Sequence, residues 1–159
     1  MKTTSYMRTL KVAASSILIS GAISLLGSPL AHAALLTVGA SSPPYGGFVC
    51  ADVRNASSTS GTPVQAFDCL GDLNEQFEFI GEQIFALGGT RCLDVSGSLT
   101  VVSNTCSSSS ASQRWYFIDG EIVNIKYGDC LDATNMANNT QLVINQCNTS
   151  VRSQNWQIK

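Results

Sequence analysis

The chain has 159 residues, 44% of them hydrophobic and only 13% charged, with 9 Lys and Arg against 11 Asp and Glu. A formal net charge of −2 leaves no surplus of cations to displace counterions from a phosphate backbone, which argues against a nucleic-acid partner. One histidine and six cysteines bound the remaining chemistry.

The first 33 residues read as a secretory signal peptide. Lys2, Arg8 and Lys11 form a basic start, residues 12–26 are an apolar run too short for a comfortable membrane span, and Ala31 and Ala33 supply small residues before a cut at Ala34. The mature chain is then expected to cover residues 34–159 as one domain, with 6 basic against 11 acidic residues and no apolar stretch of membrane length. His32, the only histidine, leaves with the signal. Without it there is no Ser-His-Asp or Cys-His nucleophile system and no imidazole metal ligand. About 14 residues separate Ala34 from the first motif, too few for an attached catalytic domain.

One pattern then occurs three times. It reads Cys50-Ala51-Asp52, Cys69 and Glu75-Gln76-Phe77; then Cys92-Leu93-Asp94, Cys106 and Gln113-Arg114-Trp115; then Cys130-Leu131-Asp132, Cys147 and Gln154-Asn155-Trp156. The first cysteines lie 42 and 38 positions apart and the second cysteines 37 and 41, a period of a threefold repeat with approximate units 47–80, 88–118 and 126–159. Six cysteines in an exported chain imply disulfides, and six allow about fifteen pairings. If each unit is a structural copy, each closes its own bridge: Cys50–Cys69, Cys92–Cys106 and Cys130–Cys147. A zinc site fails for want of a Cys-x-x-Cys pair or a histidine, so no metal or other cofactor is expected.

Short aromatic and β-branched runs predict strands at 77–79, 84–87, 99–102, 115–118, 122–125, 141–144 and 156–158, punctuated by Gly, Asn, Asp and Ser. No sustained 3.6-residue apolar period occurs. About four strands per unit give about twelve, an all-β barrel with a pseudo-threefold axis. In such a barrel Trp115 and Trp156 are expected in the core.

Cys-Leu-Asp opening a unit and Gln-x-Trp closing it, three times in phase, resemble the ricin-B-type β-trefoil lectin family over nearly all of the mature chain. The resemblance implies a β-trefoil that binds glycans or a polysaccharide without catalysis. It also implies where a sugar sits. The carboxylate comes two residues after the first cysteine, a stacking ring two residues before the second, and an amide just before the Gln of Gln-x-Trp. The first unit places Asp52, Phe67 and Asn74 there, with Glu75 at the Gln position unless the strand shifts by one to bring in Gln76. The other units keep Asp94 and Asp132 but have Asn104 and Asn145 at the ring position and Ser112 and Ser153 at the amide position, so binding is expected mainly in the first. Asp94, Gln113, Asp132, Asn145 and Gln154 are weaker candidates.

Other readings stay open. The domain could serve as the glycan-targeting subunit of a separate toxin or enzyme chain. It could be a β-trefoil protease inhibitor presenting residues 54–62. A glycosidase needs two carboxylates about 5–10 Å apart, whereas the repeated acids fall one per unit.

Overall fold

The computed structural model describes residues 33–38 and 48–159. The signal-peptide expectation, apart from Ala33, lies outside the described residues. Thirteen short strands follow in order: β1 (Ala34–Val38), β2 (Val49–Val53), β3 (Thr62–Asp68), β4 (Gln76–Ile80), β5 (Gln83–Ala86), β6 (Arg91–Val95), β7 (Val101–Asn104), β8 (Trp115–Ile118), β9 (Glu121–Asn124), β10 (Cys130–Asp132), β11 (Thr140–Gln141), β12 (Val143–Asn145) and β13 (Trp156–Ile158).

Six of them make a wall. β13 pairs with β1, β1 with β4, β4 with β5 and β8 with β9, all antiparallel. A bridge between Gln83 and Arg114 joins β5 to β8, and the Trp156 N–H donates to the Gly120 carbonyl to close the ring. The remaining strands form three hairpins, β2–β3, β6–β7 and β10–β12, which meet through β3–β7, β3–β11 and the Thr100–Val143 bridge. Three strand pairs in a barrel and three hairpins across one end constitute a β-trefoil. β1 belongs to the wall, so the barrel takes in chain upstream of residue 47.

Alternation explains the core. Phe77, Trp115 and Trp156 stand at equivalent register near the start of β4, β8 and β13 and are buried in one cluster with Leu36, Ile84 and Ile122. Each tryptophan also satisfies its indole N–H, Trp115 on the Leu93 carbonyl at 3.2 Å and Trp156 on the Leu131 carbonyl at 2.9 Å. The tight β8–β9 turn uses Asp119 and Gly120 at φ 51° and 88°, the left-handed pair such hairpins need.

Two expected strands differ. In the run 99–102, Leu99 turns at φ 62° and the strand begins at Val101. The run 141–144 breaks at Leu142, which is buried and donates its N–H sideways to the Val64 carbonyl at 2.8 Å. Packing at the pseudo-threefold axis overrides the local β pattern there. The disulfides are Cys50–Cys69, Cys92–Cys106 and Cys130–Cys147, one within each repeat. Among the described residues no helix is long and apolar enough to cross a membrane.

Candidate functional site

Each repeat places its Asp on the first hairpin strand, facing a short 3-10 turn that precedes β4, β8 or β13: Leu73–Glu75, Ala111–Gln113 and Arg152–Gln154. In the second repeat the Gln113 Oε1 accepts the Ser107 N–H at 2.7 Å, and its Nε2 donates to Asp94 Oδ2 at 3.0 Å and the Thr105 carbonyl at 2.9 Å. In the third, Gln154 Oε1 accepts the Asn148 N–H at 2.8 Å, and Nε2 donates to Asp132 Oδ2 at 3.0 Å and the Gln146 carbonyl at 3.2 Å. The glutamine thus pins a loop to the hairpin and holds the carboxylate. The ring position closes the same network. Asn104 stands opposite Cys92 and donates to Asp94 Oδ2 at 2.9 Å; Asn145 stands opposite Cys130 and donates to Asp132 Oδ2 at 3.0 Å. Asp94, Gln113, Asp132 and Gln154 are all buried. Their amide–carboxylate triads are saturated on one oxygen and leave Asp94 Oδ1 and Asp132 Oδ1 without a partner.

The first repeat is wired differently. Glu75 occupies the glutamine position with no slip of register: its Oε2 accepts the N–H groups of Leu70 and Gly71 at 2.8 and 2.6 Å, as the glutamine Oε1 does after the other second cysteines. Gln76 instead starts β4 and donates to the Gly71 carbonyl at 3.0 Å. A carboxylate has no N–H to offer Asp52, and Glu75 Oε1 is buried without a partner. Two other amides serve Asp52. Gln65, opposite it across the β2–β3 ladder, donates to Oδ1 at 2.9 Å, and Asn74 donates to Oδ2. Gln65 is held in turn by Arg54, whose Nε donates to its Oε1 at 2.7 Å.

This rewiring frees the ring position. Phe67 stands opposite Cys50, two residues from Gln65, so Phe67 and Asp52 project from the same face of the hairpin. A cleft of about 260 Å³ opens there, lined by Asp52, Gln65, Phe67, Asn74 and Glu75, with Leu70 and Asp72 at one side and Asn55 at another. Asn139, from the loop before β11, brings the third repeat to the rim. Three of the lining side chains are acidic and none is basic.

Asp52 carries the electrostatic mark of this environment. Burial pushes its carboxyl above the usual value of 3.8; the Glu75 and Asp72 charges push the same way, opposed by the Gln65 hydrogen bond and the Arg54 guanidinium.

Asp52, Phe67, Asn74 and Glu75 therefore come together around one cleft, whereas the weaker candidates form two closed networks. Sequence reading passed over Gln65, Asp72 and Asn139. Gln65 was recoverable: setting Phe67 opposite Cys50 puts Gln65 opposite Asp52. Asn139 was not, since only the closed trefoil brings that loop across.

Residues 54–62 do not project as a rigid arm. Arg54 folds back on Gln65 and donates to the Asn139 carbonyl at 3.4 Å. Among the described residues, Glu121, Cys130 and Cys147 bring candidate metal-ligand atoms within 4.8 Å, but the two sulfurs are bonded to each other and offer no thiolate.

Residues 46–156 match the family described as the ricin-type beta-trefoil lectin domain. Nigrin b of Sambucus nigra is 30% identical over 115 residues, covering 69% of this chain and 20% of that protein. Polypeptide N-acetylgalactosaminyltransferase 15 of Mus musculus is 29% identical over 114 residues, covering 68% of this chain and 18% of that protein. The chain thus spans about a fifth of the length of these relatives. Among solved structures, the agglutinin from Abrus precatorius superposes with a TM-score of 0.68 at 22% identity, covering 85% of this chain and 51% of that one. The β-trefoil lectin of the Vibrio vulnificus hemolysin/cytolysin, solved with N-acetyl-D-lactosamine bound, gives 0.64 at 17% identity, covering 81% and 94%.

Proposed function

Because the chain belongs to the ricin-type β-trefoil lectin domain family, a class of non-catalytic carbohydrate-binding modules, we propose that it is an exported lectin whose working sugar site is the first-repeat cleft. The observation that carries this reading is the exchange at the ring position. Phe67 lines an open cleft beside Asp52, whereas Asn104 and Asn145 at its position donate to Asp94 and Asp132. A sugar presents hydroxyls on its rim and a C–H patch on one face. Asp52 accepts the hydroxyls, Asn74 offers an amide, and the Phe67 ring covers the C–H face. Glu75 anchors the floor by cradling two backbone N–H groups.

Export is part of the proposal. It is supported by the basic and apolar pattern of residues 1–33 and by β1 starting at Ala34, the residue after the expected cut. A glycan array run with wild type, Asp52→Ala and Phe67→Ala tests the site. Loss of binding in both variants, with near-normal folding, is expected; retention of wild-type binding would overturn it.

A second reading has its own support. Relatives include the ribosome-inactivating protein SNAI′ of Sambucus nigra, and a chain from a mosquitocidal holotoxin shares the fold at a TM-score of 0.67. On this reading the domain targets a separate toxin or enzyme chain to glycans. Gentle purification from the native source tests it: a stoichiometric second chain supports the subunit role, and recovery alone rejects it.

A further inference from the structure

At the position before each x-aromatic pair, the first repeat has an oxygen where the other two have an amide nitrogen. Where Gln113 and Gln154 turn an Nε2 donor toward an Asp and the carbonyl before the second cysteine, Glu75 presents Oε1, an acceptor. The correspondence is fixed by the acceptor oxygen, Glu75 Oε2 or the glutamine Oε1, which in all three repeats takes the N–H of the residue after the second cysteine. The first-repeat floor thus has a buried acceptor without a partner, in the same cleft as Asp52, whose own donors come from Gln65 and Asn74. A buried polar atom without a partner is unfavourable.

The charge around that orphan has one sign. Asp52, Asp72 and Glu75 line the cleft, and the nearby cation, Arg54, is committed to Gln65 and the Asn139 carbonyl and is not part of the lining. Burial is the main cause that raises the Asp52 carboxyl, and the Glu75 and Asp72 charges add to it. An ammonium group supplies what the site lacks, being three donors and a positive charge.

We propose that the first-repeat cleft selects a sugar bearing a free, protonated amine, and that Glu75 is the residue that sets this preference. The inference rests on the sugar-site reading above. A hexosamine places its amine beside a ring hydroxyl. The hydroxyl engages Asp52, the C–H face lies on Phe67, and the ammonium enters the field of Glu75 and Asp72. N-acetylation removes the charge, and a carboxylated or sulfated sugar meets repulsion.

Galactosamine and glucosamine, each with its N-acetyl and its neutral hydroxyl counterpart, are immobilised and probed with the full exported protein at about pH 6, where the amines are protonated. Wild type is expected to bind a free-amine sugar at least about fivefold more tightly than its N-acetyl form, with the ratio shrinking as salt is added. Glu75→Gln restores the donor found in the other two repeats and is expected to bring the ratio toward one. Asp72→Asn lowers it part of the way. Equal binding of amine and N-acetyl forms by wild type overturns the proposal while leaving the sugar site standing. A ratio unchanged in Glu75→Gln overturns the role of Glu75. Binding of none of the sugars removes the sugar-site reading itself, and this inference with it.

Discussion

Gln65 donates its side-chain amide to Asp52 at 2.9 Å across the β2–β3 ladder. The residues opposite the other two aspartates are Val102 and Val143, and there the corresponding carboxylate oxygen is buried with no partner. Gln65 is therefore the feature that lets Asp52 face a cleft with both oxygens satisfied before ligand arrives. Gln65→Val copies the other repeats. It should cost about 1–2 kcal/mol in denaturant unfolding, because it orphans a buried carboxylate oxygen. It should also weaken glycan binding, since removing a hydrogen bond that favours the charged form makes Asp52 easier to protonate.

Gln65 and Asn74 hold Asp52, work that the other repeats give to Asn104 with Gln113 and to Asn145 with Gln154, and this leaves Phe67 free at the ring position. Phe67→Asn is therefore expected to fold and to donate to Asp52, filling the cleft from within. Binding should fall by at least about tenfold, because the stacking surface goes and a competing donor arrives. Far-UV circular dichroism together with the glycan array separates this outcome from unfolding.

With the sugar site as proposed, the raised Asp52 carboxyl should set an acid limit on binding. Only the ionised form accepts two hydroxyls, so affinity should drop as pH falls through the elevated value, at a higher pH than an ordinary Asp would give. Stability responds with the opposite sign. Between 3.8 and the raised value the folded state holds a proton that the unfolded chain has released, so this group's contribution is favourable on the acid side and declines as pH rises through the window. Glu75→Gln removes one of the charges that raise it and should move the acid limb of binding to lower pH. Affinity measured against pH for both proteins checks the direction.

The fold and the site were legible to different depths. Cysteine spacing and Gln-x-Trp report contacts made inside one repeat, such as Trp115 on Leu93 or Gln113 on Ser107, and these follow from short stretches of chain. Leu142 and Asn139 act across repeats, one at the hairpin triplet and one at the cleft rim, and no local pattern marks them. Asp94 and Asp132 share the position of Asp52 in sequence. What sets them apart in the structure is the asparagine opposite each first cysteine, a donor whose reach depends on ladder register. Glu75 read as a damaged motif in sequence; in three dimensions it is a correctly placed side chain with one donor exchanged for an acceptor.

The disulfides close loops of similar length, with separations of 19, 14 and 17 residues. Chain entropy assigns each about 3 kcal/mol, and replacing either the second or the third pair with serine should cost near that in reversible unfolding. The Cys50–Cys69 pair should differ in function. Cys69 immediately precedes Leu70 and Gly71, whose N–H groups seat Glu75. Its double serine variant is therefore expected to lose glycan affinity under conditions where it is still folded, while the Cys92–Cys106 variant keeps it. Affinity titrations below the unfolding transition of each variant distinguish the two.

A glutamine-to-glutamate exchange also occurs in the wall. Gln83 and Glu121 follow the β4–β5 and β8–β9 turns at the same register, opposite Ile80 and Ile118. Gln83 Nε2 donates to the Ser107 carbonyl at 3.3 Å and to Gln113 Oε1 at 3.4 Å, tying the wall to the loop after a second cysteine. Glu121 has no such donor, and its Oε1 is buried without a partner. Unlike Glu75 it lies outside the residues lining the cleft, so no ligand has reason to relieve it. Glu121→Gln should therefore give the third repeat the bond the second already has, to the Asn148 carbonyl and Gln154 Oε1. We expect a gain of about 1 kcal/mol in denaturant midpoint analysis, with sugar affinity unchanged. A destabilised variant would mean that the two repeats are not equivalent at this position.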